Sequence, residues 1–566
     1  MFVDTIPNRG SRPTILIRDS QRKGKKTFKT TLANISHWPT EKVDALRRVL
    51  QGKTEPASMD SLVIERSLPH GHVEAVLGTM RSLGLASLLS SGPCRERDLV
   101  LAMVAQRVLE PCSKLATTRL WRTTTLAEEL GVEDASADAL YAAMDWLIRR
   151  KNRIENKLAR RHLDEGARVL YDISSSSYTG RNCPLAEWGY NRDGEKLPCI
   201  VYGVLTTAEG CPVATDVYPG NTADPATVPD QAEKIRKRFG LTRVVMVGDR
   251  GMLTQARIDA LRDHPGLGWV SALRSADIRE LVESGCLQMS LFDEQHLAEI
   301  HSDSYPDERL IACYNPLLAA DRKRTRDELL AATETDLARI ATEVSRRTHT
   351  PLSAAEIGVK VGRCIARRKM AKHFILTIED GRFSFSRNTE FIERETLLDG
   401  IYVIRTSDSD MSAPDAVRAY KSLGQVEQAF RCLKGIDLRI RPIHHRTEDH
   451  VKAHVFICLL AYYVEWHMRK ALGSLLFQDE ELDRTRWTRD PVSPASASPS
   501  ARKKKRTKRT PDGHTVQSFH SLLCTLATRC KNTCRVGENE SVARFVKLTE
   551  LNPLQKQTFL LLGLKI

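Results

Sequence analysis

Two acidic residues come at the ends of apolar runs in this sequence. Asp172 ends VLYD and precedes a run of four serines, and Asp249 ends VVMVGD and precedes a glycine-bearing turn. Taken alone, each aspartate is most simply a turn or helix-cap residue. Two strands of one sheet could also bring their terminal carboxylates together, and such a pair repels unless a cation lies between them. Mg²⁺ suits this arrangement, because it binds a few carboxylates and leaves room for water and phosphate oxygens.

A third carboxylate lies in the stretch AYKSLGQVEQAFRCLKG. Within it, Tyr420, Glu427 and Lys434 follow one another at intervals of seven residues. Seven residues turn an α-helix through about 700°, so the three side chains would lie along one stripe, with Arg431 at its border. A solvated helix face would explain the charges but not their combination with two strand-end acids. Carboxylates can hold two metal ions about 4 Å apart. Such a pair of ions can activate the attacking oxygen and stabilise the leaving oxygen of a phosphodiester.

The composition narrows the class of protein. The chain has 566 residues, of which 41% are hydrophobic and 28% charged, as is typical of soluble globular proteins. Its length predicts about two to four domains. The formal net charge is +15. A soluble protein this basic most often meets nucleic acid or an anionic membrane surface, and a generic basic surface is the simpler alternative.

Cysteine usage and apolar runs indicate the compartment. The thirteen cysteines include no CxxC pair, which disfavours zinc and a disulfide framework and favours reduced thiols in the cytosol. The N-terminal MFVDTIPNRGSRP does not fit a signal peptide. The longest apolar run, VFICLLAYYV, is too short to span a bilayer and predicts a buried helix. We therefore expect a cytoplasmic protein without a membrane partner.

The elements that would position the acidic residues follow from changes of period along the chain. From about 38 to 165 the apolar residues recur at helical spacing, and from 168 β-branched runs such as ARVLYDI, PCIVYGVLT and TRVVMVGD predict strands. Three strands, then helix, strand, helix and strand, predict a mixed α/β sheet. A charged helix and the hairpin-like HFILTIEDGRFSFSRN interrupt this pattern over 274–400.

Seven segments are predicted from these changes. In chain order they are a basic strand-like segment (1–37), a helical region (38–165), the first part of the α/β region that carries the two aspartates (166–273), an insertion domain (274–400), the remainder of that region with the Glu427 helix (401–476), a disordered basic linker (477–515) and a helical tail (516–566). The linker contains ARKKKRTKRT, which binds DNA nonspecifically or only solubilises the chain; we favour DNA.

Together these residues resemble a known family, the DDE-type transposases of bacterial insertion sequences, in the group with a Tyr-x2-Arg-x3-Glu-x6-Lys signature. The matching pieces are YDIS at 171–174, VGDRGM at 247–252, and Tyr420, Glu427 and Lys434 at the spacing of the signature. Four further stretches are similar to this group: GNTAD (220–224), ERLIACYNP (308–316), LLDGIYVIRT (397–406) and RPIHH (441–445). The resemblance covers roughly 160–475.

The resemblance implies a fold and a metal site. It implies an α/β RNase H-like catalytic core (166–273 and 401–476) with a β-containing insertion domain before the Glu helix, in agreement with the interruption over 274–400. It also implies a mainly helical N-terminal region, with DNA binding by 38–165. It also implies that Asp172, Asp249 and Glu427 are the catalytic residues and the metal ligands. The metal would be Mg²⁺, with Mn²⁺ as an alternative, since both suit oxygen ligands.

The resemblance also implies DNA contacts. Tyr420 and Lys434 would contact phosphates of the transposon end, and Arg431 is a third candidate for DNA binding. The Arg position of the signature holds Leu423 in this chain. A leucine cannot make a bidentate phosphate contact, so the details of end handling that depend on this Arg, including a hairpin intermediate, stay open.

The function implied is that of a DNA transposase, acting in the bacterial cytoplasm on the nucleoid. It would cleave the ends of its element and join them to target DNA by two-metal-ion phosphoryl transfer. Its partners would be the terminal inverted repeats and the target DNA, and a homodimer on DNA would hold both ends. Two alternatives are an RNase H-like metal-dependent nuclease without strand transfer, and an inactive DNA-binding protein descended from a transposase. The presence of all three acidic residues disfavours the second alternative.

Overall fold

A computed structural model describes residues 1–23, 26–52, 62–293, 295–485, 489–536 and 544–565. The chain divides into two compact units. Unit 1 comprises Met1–His70 and Thr528–Glu550, and unit 2 comprises Gly71–Ala527 and Leu551–Ile566. The predicted site residues all lie in unit 2.

The strands and helices have the following bounds. The strands are β1 (Phe2–Asn8), β2 (Ser11–Lys23), β3 (Lys26–Asn34), β4 (Leu62–Pro69), β5 (Ala167–Ser177), β6 (Cys199–Thr207), β7 (Pro212–Pro219), β8 (Val244–Val247), β9 (Leu267–Ala272), β10 (Leu297–Ile300), β11 (Arg309–Tyr314), β12 (Phe374–Glu379), β13 (Arg382–Arg387), β14 (Ile401–Thr406), β15 (Cys530–Val536) and β16 (Arg544–Leu548). The helices are α1 (Thr40–Leu50), α2 (Gly71–Ser82), α3 (Leu85–Leu89), α4 (Arg95–Leu109), α5 (Lys114–Leu120), α6 (Leu126–Leu130), α7 (Ala137–Ile148), α8 (Lys151–His162), α9 (Val228–Glu233), α10 (Gln255–Arg262), α11 (Ser275–Glu283), α12 (Pro316–Arg346), α13 (Ala354–Arg368), α14 (Thr389–Thr396), α15 (Ala413–Lys421), α16 (Leu423–Lys434), α17 (Glu448–Ala471), α18 (Glu481–Thr485), α19 (Pro499–Thr507), α20 (Phe519–Ala527) and α21 (Pro553–Leu561).

Unit 1 consists of two antiparallel three-stranded sheets, β1-β2-β3 and β16-β15-β4, and helix α1. The strands of the first sheet agree with the strand-like prediction for 1–37. The second sheet corrects two predictions, because β4 lies in a region predicted to be helical, and β15 and β16 lie in the tail predicted to be helical. Each of these strands is short, and pairing between segments far apart in sequence overrides local helical patterning.

Unit 2 is built on one mixed sheet of eight strands in the order β10-β11-β14-β9-β8-β5-β6-β7. Strands β5, β6 and β7 are antiparallel, whereas β8 and β9 continue parallel to β5. Strand β6 is buried along its whole length, as expected for a central strand with both faces covered. The predicted mixed α/β sheet is therefore present.

Helix α17 carries the longest apolar run and lies in the core of unit 2. Fifteen of its side chains are buried, and it packs against β7, α4 and α7. The prediction of a buried helix is confirmed. Within the described ranges, no helix combines the length and the apolar content needed to cross a membrane. In the part of the chain that the structure describes, the thirteen cysteines form no disulfide with one another.

The insertion predicted over 274–400 is only partly separate from the main sheet. Strands β10 and β11 lie inside this range, yet they extend the eight-stranded sheet through β14. The segment between β11 and β14 has its own small core, formed by α12, α13 and the hairpin β12–β13. The hairpin turns at Asp380-Gly381, where Gly381 has φ +69°, as the sequence pattern predicts.

The linker predicted to be disordered over 477–515 contains two short helices, α18 and α19. The Ser498 hydroxyl caps α19 by accepting from Ala501 N, and it donates to Asp479 at 2.8 Å. Lys504 donates to Glu480 at 2.9 Å. Specific capping and ion pairing thus give this segment local structure that its low apolar content did not predict.

Candidate active site

The register of two parallel strands aligns the first two predicted carboxylates. Leu170 of β5 pairs with Val247 of β8. Asp172 and Asp249 each lie two residues beyond this pair, so they are level with one another where β8 has ended and β5 continues to Ser177. The strand-end prediction therefore holds for Asp249, but it is wrong for Asp172, which lies inside β5 and pairs with Val204 of β6, because the polar serines after it continue the strand.

Asp172 is partly buried, and its surroundings disfavour the ionised form of its carboxyl group. Burial raises its pKa to about 7, and the nearby carboxylates of Asp249 and Asp224 add to the rise. Two interactions oppose this rise in pKa: a hydrogen bond from Ile173 N at 2.8 Å and the charge of the Arg192 guanidinium. A carboxylate crowded by others gains from a bound cation.

Asp249 is exposed and also orders the turn that follows β8. Its Oδ1 accepts from Gly251 N at 3.0 Å and from Met252 N at 2.8 Å. The turn-residue interpretation is thus correct for this side chain. It does not compete with metal binding, because both backbone bonds end on one carboxylate oxygen.

Glu427 lies on helix α16, which packs against β5 and β6. The helix is not the continuous one that the spacing predicts, since the chain turns at Ser422 between α15 and α16. Ser422 donates its hydroxyl to Ala419 O at 2.5 Å, and Gln425 N donates to Ser422 O at 2.8 Å. The single stripe therefore holds for Glu427 and Lys434 but not for Tyr420, which belongs to α15.

Tyr420 lies near both Asp249 and Glu427. Burial raises the pKa of Tyr420, and the charges of Asp249 and Glu427 raise it further, while Arg250 opposes the rise. Both carboxylates are thus close enough to act on the same phenol. A phenol with a raised pKa keeps its proton and remains a hydrogen-bond donor.

The two predicted cations of α16 have different surroundings. Arg431 is 74% exposed and its guanidinium lies 4.0 Å from the carboxylate of Glu427, itself 62% exposed. Lys434 is mostly buried and donates to Ser175 O at 2.6 Å and to Asp193 at 3.0 Å. Arg431 is therefore accessible, whereas Lys434 is engaged within the protein.

Sequence reasoning missed two polar residues next to Asp172. Arg192 donates to Ile173 O at 2.5 Å and to Asp224 at 2.6 Å. Asp224 belongs to GNTAD, a stretch similar to the transposase group, but it was not among the predicted site residues. The GNTAD resemblance was the available signal for Asp224, whereas Arg192 lies in an irregular loop without a diagnostic spacing.

Leu423, at the Arg position of the signature, is the first residue of α16 and packs against the main core of unit 2. It has a packing role here, in agreement with its inability to bind phosphate.

The three predicted ligands offer oxygen donors alone, which suits hard divalent cations such as Mg²⁺. Their ligand atoms do not all lie within 4.8 Å of one another. Two other groups in the described part of the chain meet that limit: His162 with Cys211 and His467, and Cys432 with Asp437 and Glu465. In the second group Arg469 already pairs with Glu465 at 2.6 Å and with Asp437 at 3.0 Å.

A mixed α/β sheet with two aspartates level on neighbouring strands, beside a helix that carries a glutamate, is an arrangement typical of metal-dependent enzymes that act on phosphodiesters. The chain belongs to the family defined by the transposase DDE domain, whose model matches residues 174–464, more than half of the chain. No curated protein matches the chain. The resemblance stated from the sequence is thus confirmed. Membership implies an RNase H-like α/β core, action on DNA and the use of divalent metal ions. The match contains Asp249 and Glu427 and begins two residues after Asp172.

Proposed function

We propose that this protein is a DNA transposase that cleaves the ends of its element and joins them to target DNA. The observation that supports this most directly is the pairing of β5 with β8, which puts Asp172 and Asp249 level with one another where β8 ends. The raised pKa of Asp172 supports a site made to receive a cation. Family membership supports the reaction class.

In this proposal Asp172, Asp249 and Glu427 hold Mg²⁺, with Mn²⁺ as a substitute. Two such ions would supply activation of the attacking oxygen and stabilisation of the leaving oxygen. The chain's own part is to hold the three carboxylates. Asp172 is held within β5, Asp249 is ordered by its turn, and Glu427 is carried by a helix packed on β5.

In this proposal, side chains on helices α15 and α16 contact the DNA. Tyr420 keeps its phenolic proton and donates it to a phosphate oxygen, and the exposed Arg431 offers a forked donor to the same backbone. Lys434 can reach a phosphate only by giving up its contacts with Asp193 and Ser175. The helical region over 38–165 would recognise the terminal inverted repeats, and two copies of the chain would hold two ends.

The remaining domain assignments belong to the same proposal. The segments 166–273 and 401–476 would form the catalytic core around the insertion of 274–400, and the basic linker would add nonspecific affinity for DNA. The basic strands of 1–37 would lie on phosphates.

The test is cleavage and strand transfer on labelled DNA that carries the gene's own flanking ends. Reactions with Mg²⁺ and with EDTA would compare the wild type with Asp172→Asn, Asp249→Asn and Glu427→Gln, and DNA binding would be measured separately. Asp263→Asn, which changes an exposed aspartate outside the site, is the matched control.

We expect metal-dependent joining that each of the three substitutions abolishes, while DNA binding and the control variant stay at the wild-type level. Cleavage without joining would instead identify a nuclease on the same core. DNA binding without any chemistry in the wild type would identify an inactive descendant of a transposase.

A further inference from the structure

The loop between β5 and β6 exposes two large aromatic side chains. Trp188 is 67% exposed and Tyr190 is 82% exposed. In the described part of the chain neither ring packs against another aromatic ring or under a cation. Burying an aromatic ring is ordinarily favourable, so two such rings left in solvent on one short loop call for a function.

The backbone that carries these rings is firmly fixed. The hydroxyl of Ser175 donates to Tyr190 O at 2.8 Å and accepts from Arg192 N at 2.9 Å. Between the two rings, a Cβ on Gly189 would come within 1.9 Å of Gly220 O, so only glycine fits there. The rings therefore stand on an ordered support, and their exposure is not the result of a loose loop.

The same loop is tied to the strand that carries Asp172. Arg192, two residues after Tyr190, donates to Ile173 O and to Asp224, and its charge acts on Asp172. The main chain at Tyr190 is bonded three residues beyond Asp172 on β5. The two rings are thus built into the border of the proposed metal site.

We propose that Trp188 and Tyr190 form a stacking platform for nucleobases of the transposon end beside the bond that is cut. This inference rests on the proposed function. Every nucleobase presents a π face, so aromatic stacking is tolerant of sequence and contributes about 1–3 kcal/mol per base. Only unpaired bases, or the last pair of a duplex, offer a free face. Such bases arise where a strand is nicked or melted, and the platform selects for them.

A nucleic acid fits this surface better than a second protein. The centres of protein interfaces are depleted in charged residues. Here the rings are flanked along the loop by the exposed Arg181 and Lys196 and border a cluster of carboxylates. Exposed cations on the same loop as the aromatic rings match a phosphate backbone with its bases, and the carboxylates match the metal ions that accompany a scissile phosphate.

The experiment measures binding without chemistry, in Ca²⁺ or EDTA, by fluorescence anisotropy. Two labelled DNAs carry the gene's own flanking end, one fully paired and one with its three terminal bases unpaired. Trp188→Ala, Tyr190→Ala and Trp188→Phe are compared with the wild type. Leu560→Ala, which removes a large apolar side chain that is 64% exposed on α21 of unit 2, is the matched control.

We expect the wild type to prefer the unpaired end. Each alanine variant should bind that end about 5- to 150-fold more weakly, the factor that corresponds to the loss of one stacked base, with less than about twofold change on the paired end. Trp188→Phe should keep most of the preference, because a phenyl ring still stacks. Leu560→Ala should behave as the wild type, and the thermal midpoints should be unchanged.

Three results would overturn the inference. An equal loss on both DNAs would mean that the rings contribute only to general binding or folding. An unchanged preference for the unpaired end in both alanine variants would mean that the two rings do not form a stacking platform. A change in the mass of the free protein by light scattering, with DNA preference intact, would make the loop an interface between copies. A different result would contradict the proposed function itself: the wild type binds neither DNA, or it joins no DNA ends in Mg²⁺.

Discussion

Lys434 Nζ lies 3.0 Å from the carboxylate of Asp193, and Arg441 lies 2.8 Å from the same carboxylate. The Asp193 side chain is 4% exposed and also accepts from Ser177 N at 2.9 Å. One buried carboxylate thus joins helix α16, strand β5 and the β5–β6 loop. The position of Glu427 relative to Asp172 depends on this junction, because α16 carries Glu427 and β5 carries Asp172.

Removing one partner of this junction should cost folding stability. Lys434→Met leaves Asp193 with Arg441 alone, and we expect a loss of about 3 kcal/mol, since breaking a buried ion pair leaves charge poorly compensated. The measurement is the urea unfolding midpoint. Lys237→Met is the control, because Lys237 pairs with Glu233 at 2.9 Å on the exposed surface, where such pairs contribute little.

The same variant also tests the phosphate role expected from the signature. If Lys434 acts on DNA alone, stability would stay at the wild-type value. The dependence of DNA affinity on salt would then fall by about one unit of slope, as for the loss of one phosphate contact. A stability loss with an unchanged salt slope would assign Lys434 to the protein interior.

The sequence predicted those parts of the fold that depend on local pattern. The apolar run before Asp249 marked the end of β8, and the spacing of Glu427 and Lys434 marked one helical stripe, whereas β5 continues through the serines to Ser177. The pairing of Lys434 with Asp193 spans 241 residues and follows from tertiary packing, which no local period encodes. Strand β15 was missed for the same reason, since its partner β4 lies far away in the chain.

The turn at Ser422 escaped prediction for a different reason. No proline marks it, and the nearby Gly424 can also lie inside a helix, as it does in α16. At the turn the Ser422 hydroxyl donates to Ala419 O, a local competition with helical hydrogen bonding that serine allows but does not require.

Two glycine-to-alanine substitutions should have opposite effects. Gly189→Ala should destabilise the β5–β6 loop, because the new Cβ would meet Gly220 O at 1.9 Å and backbone cannot give way cheaply. Gly424→Ala should stabilise by about 0.5–1 kcal/mol, because Gly424 lies within α16 with open space around its Cα. Thermal unfolding of both variants checks the pair. Equal shifts of the same sign would show that the close approach at Gly189 does not constrain the loop.

Divalent metal should stabilise the protein without any DNA. A ligand that binds only the folded state at ten times its Kd adds about 1.4 kcal/mol. We therefore expect Mg²⁺ to raise the thermal midpoint of the wild type and EDTA to reverse the effect. Asp172→Asn and Asp249→Asn should lose the Mg²⁺-dependent shift, whereas Asp263→Asn should keep it. A shift of equal size in all variants would place the responsible cation elsewhere.

Asp216 lies in a partly buried network with Lys234 and Lys151, and Lys151 also pairs with the buried Glu155 at 2.7 Å. Burial alone would raise the pKa of Asp216, but Lys234 and Lys151 outweigh it and lower the pKa to about 2 from the ordinary 3.8. Between pH 4 and pH 2 the unfolded chain therefore binds more protons at this position than the folded one. Stability from this group is present above pH 4 and is lost as the pH falls towards 2.

Asp216→Asn should remove that part of the acid sensitivity. At pH 7 we expect a loss of about 3 kcal/mol, because two buried lysines keep only Glu155 as a counter-charge. The difference from the wild type should shrink by about 2 kcal/mol between pH 4 and pH 2, the amount that corresponds to the pKa shift. Urea midpoints across this range measure it, with the exposed Glu233→Gln as the control. A difference that stays constant down to pH 2 would mean that packing, and not the charge of Asp216, supplies the stability.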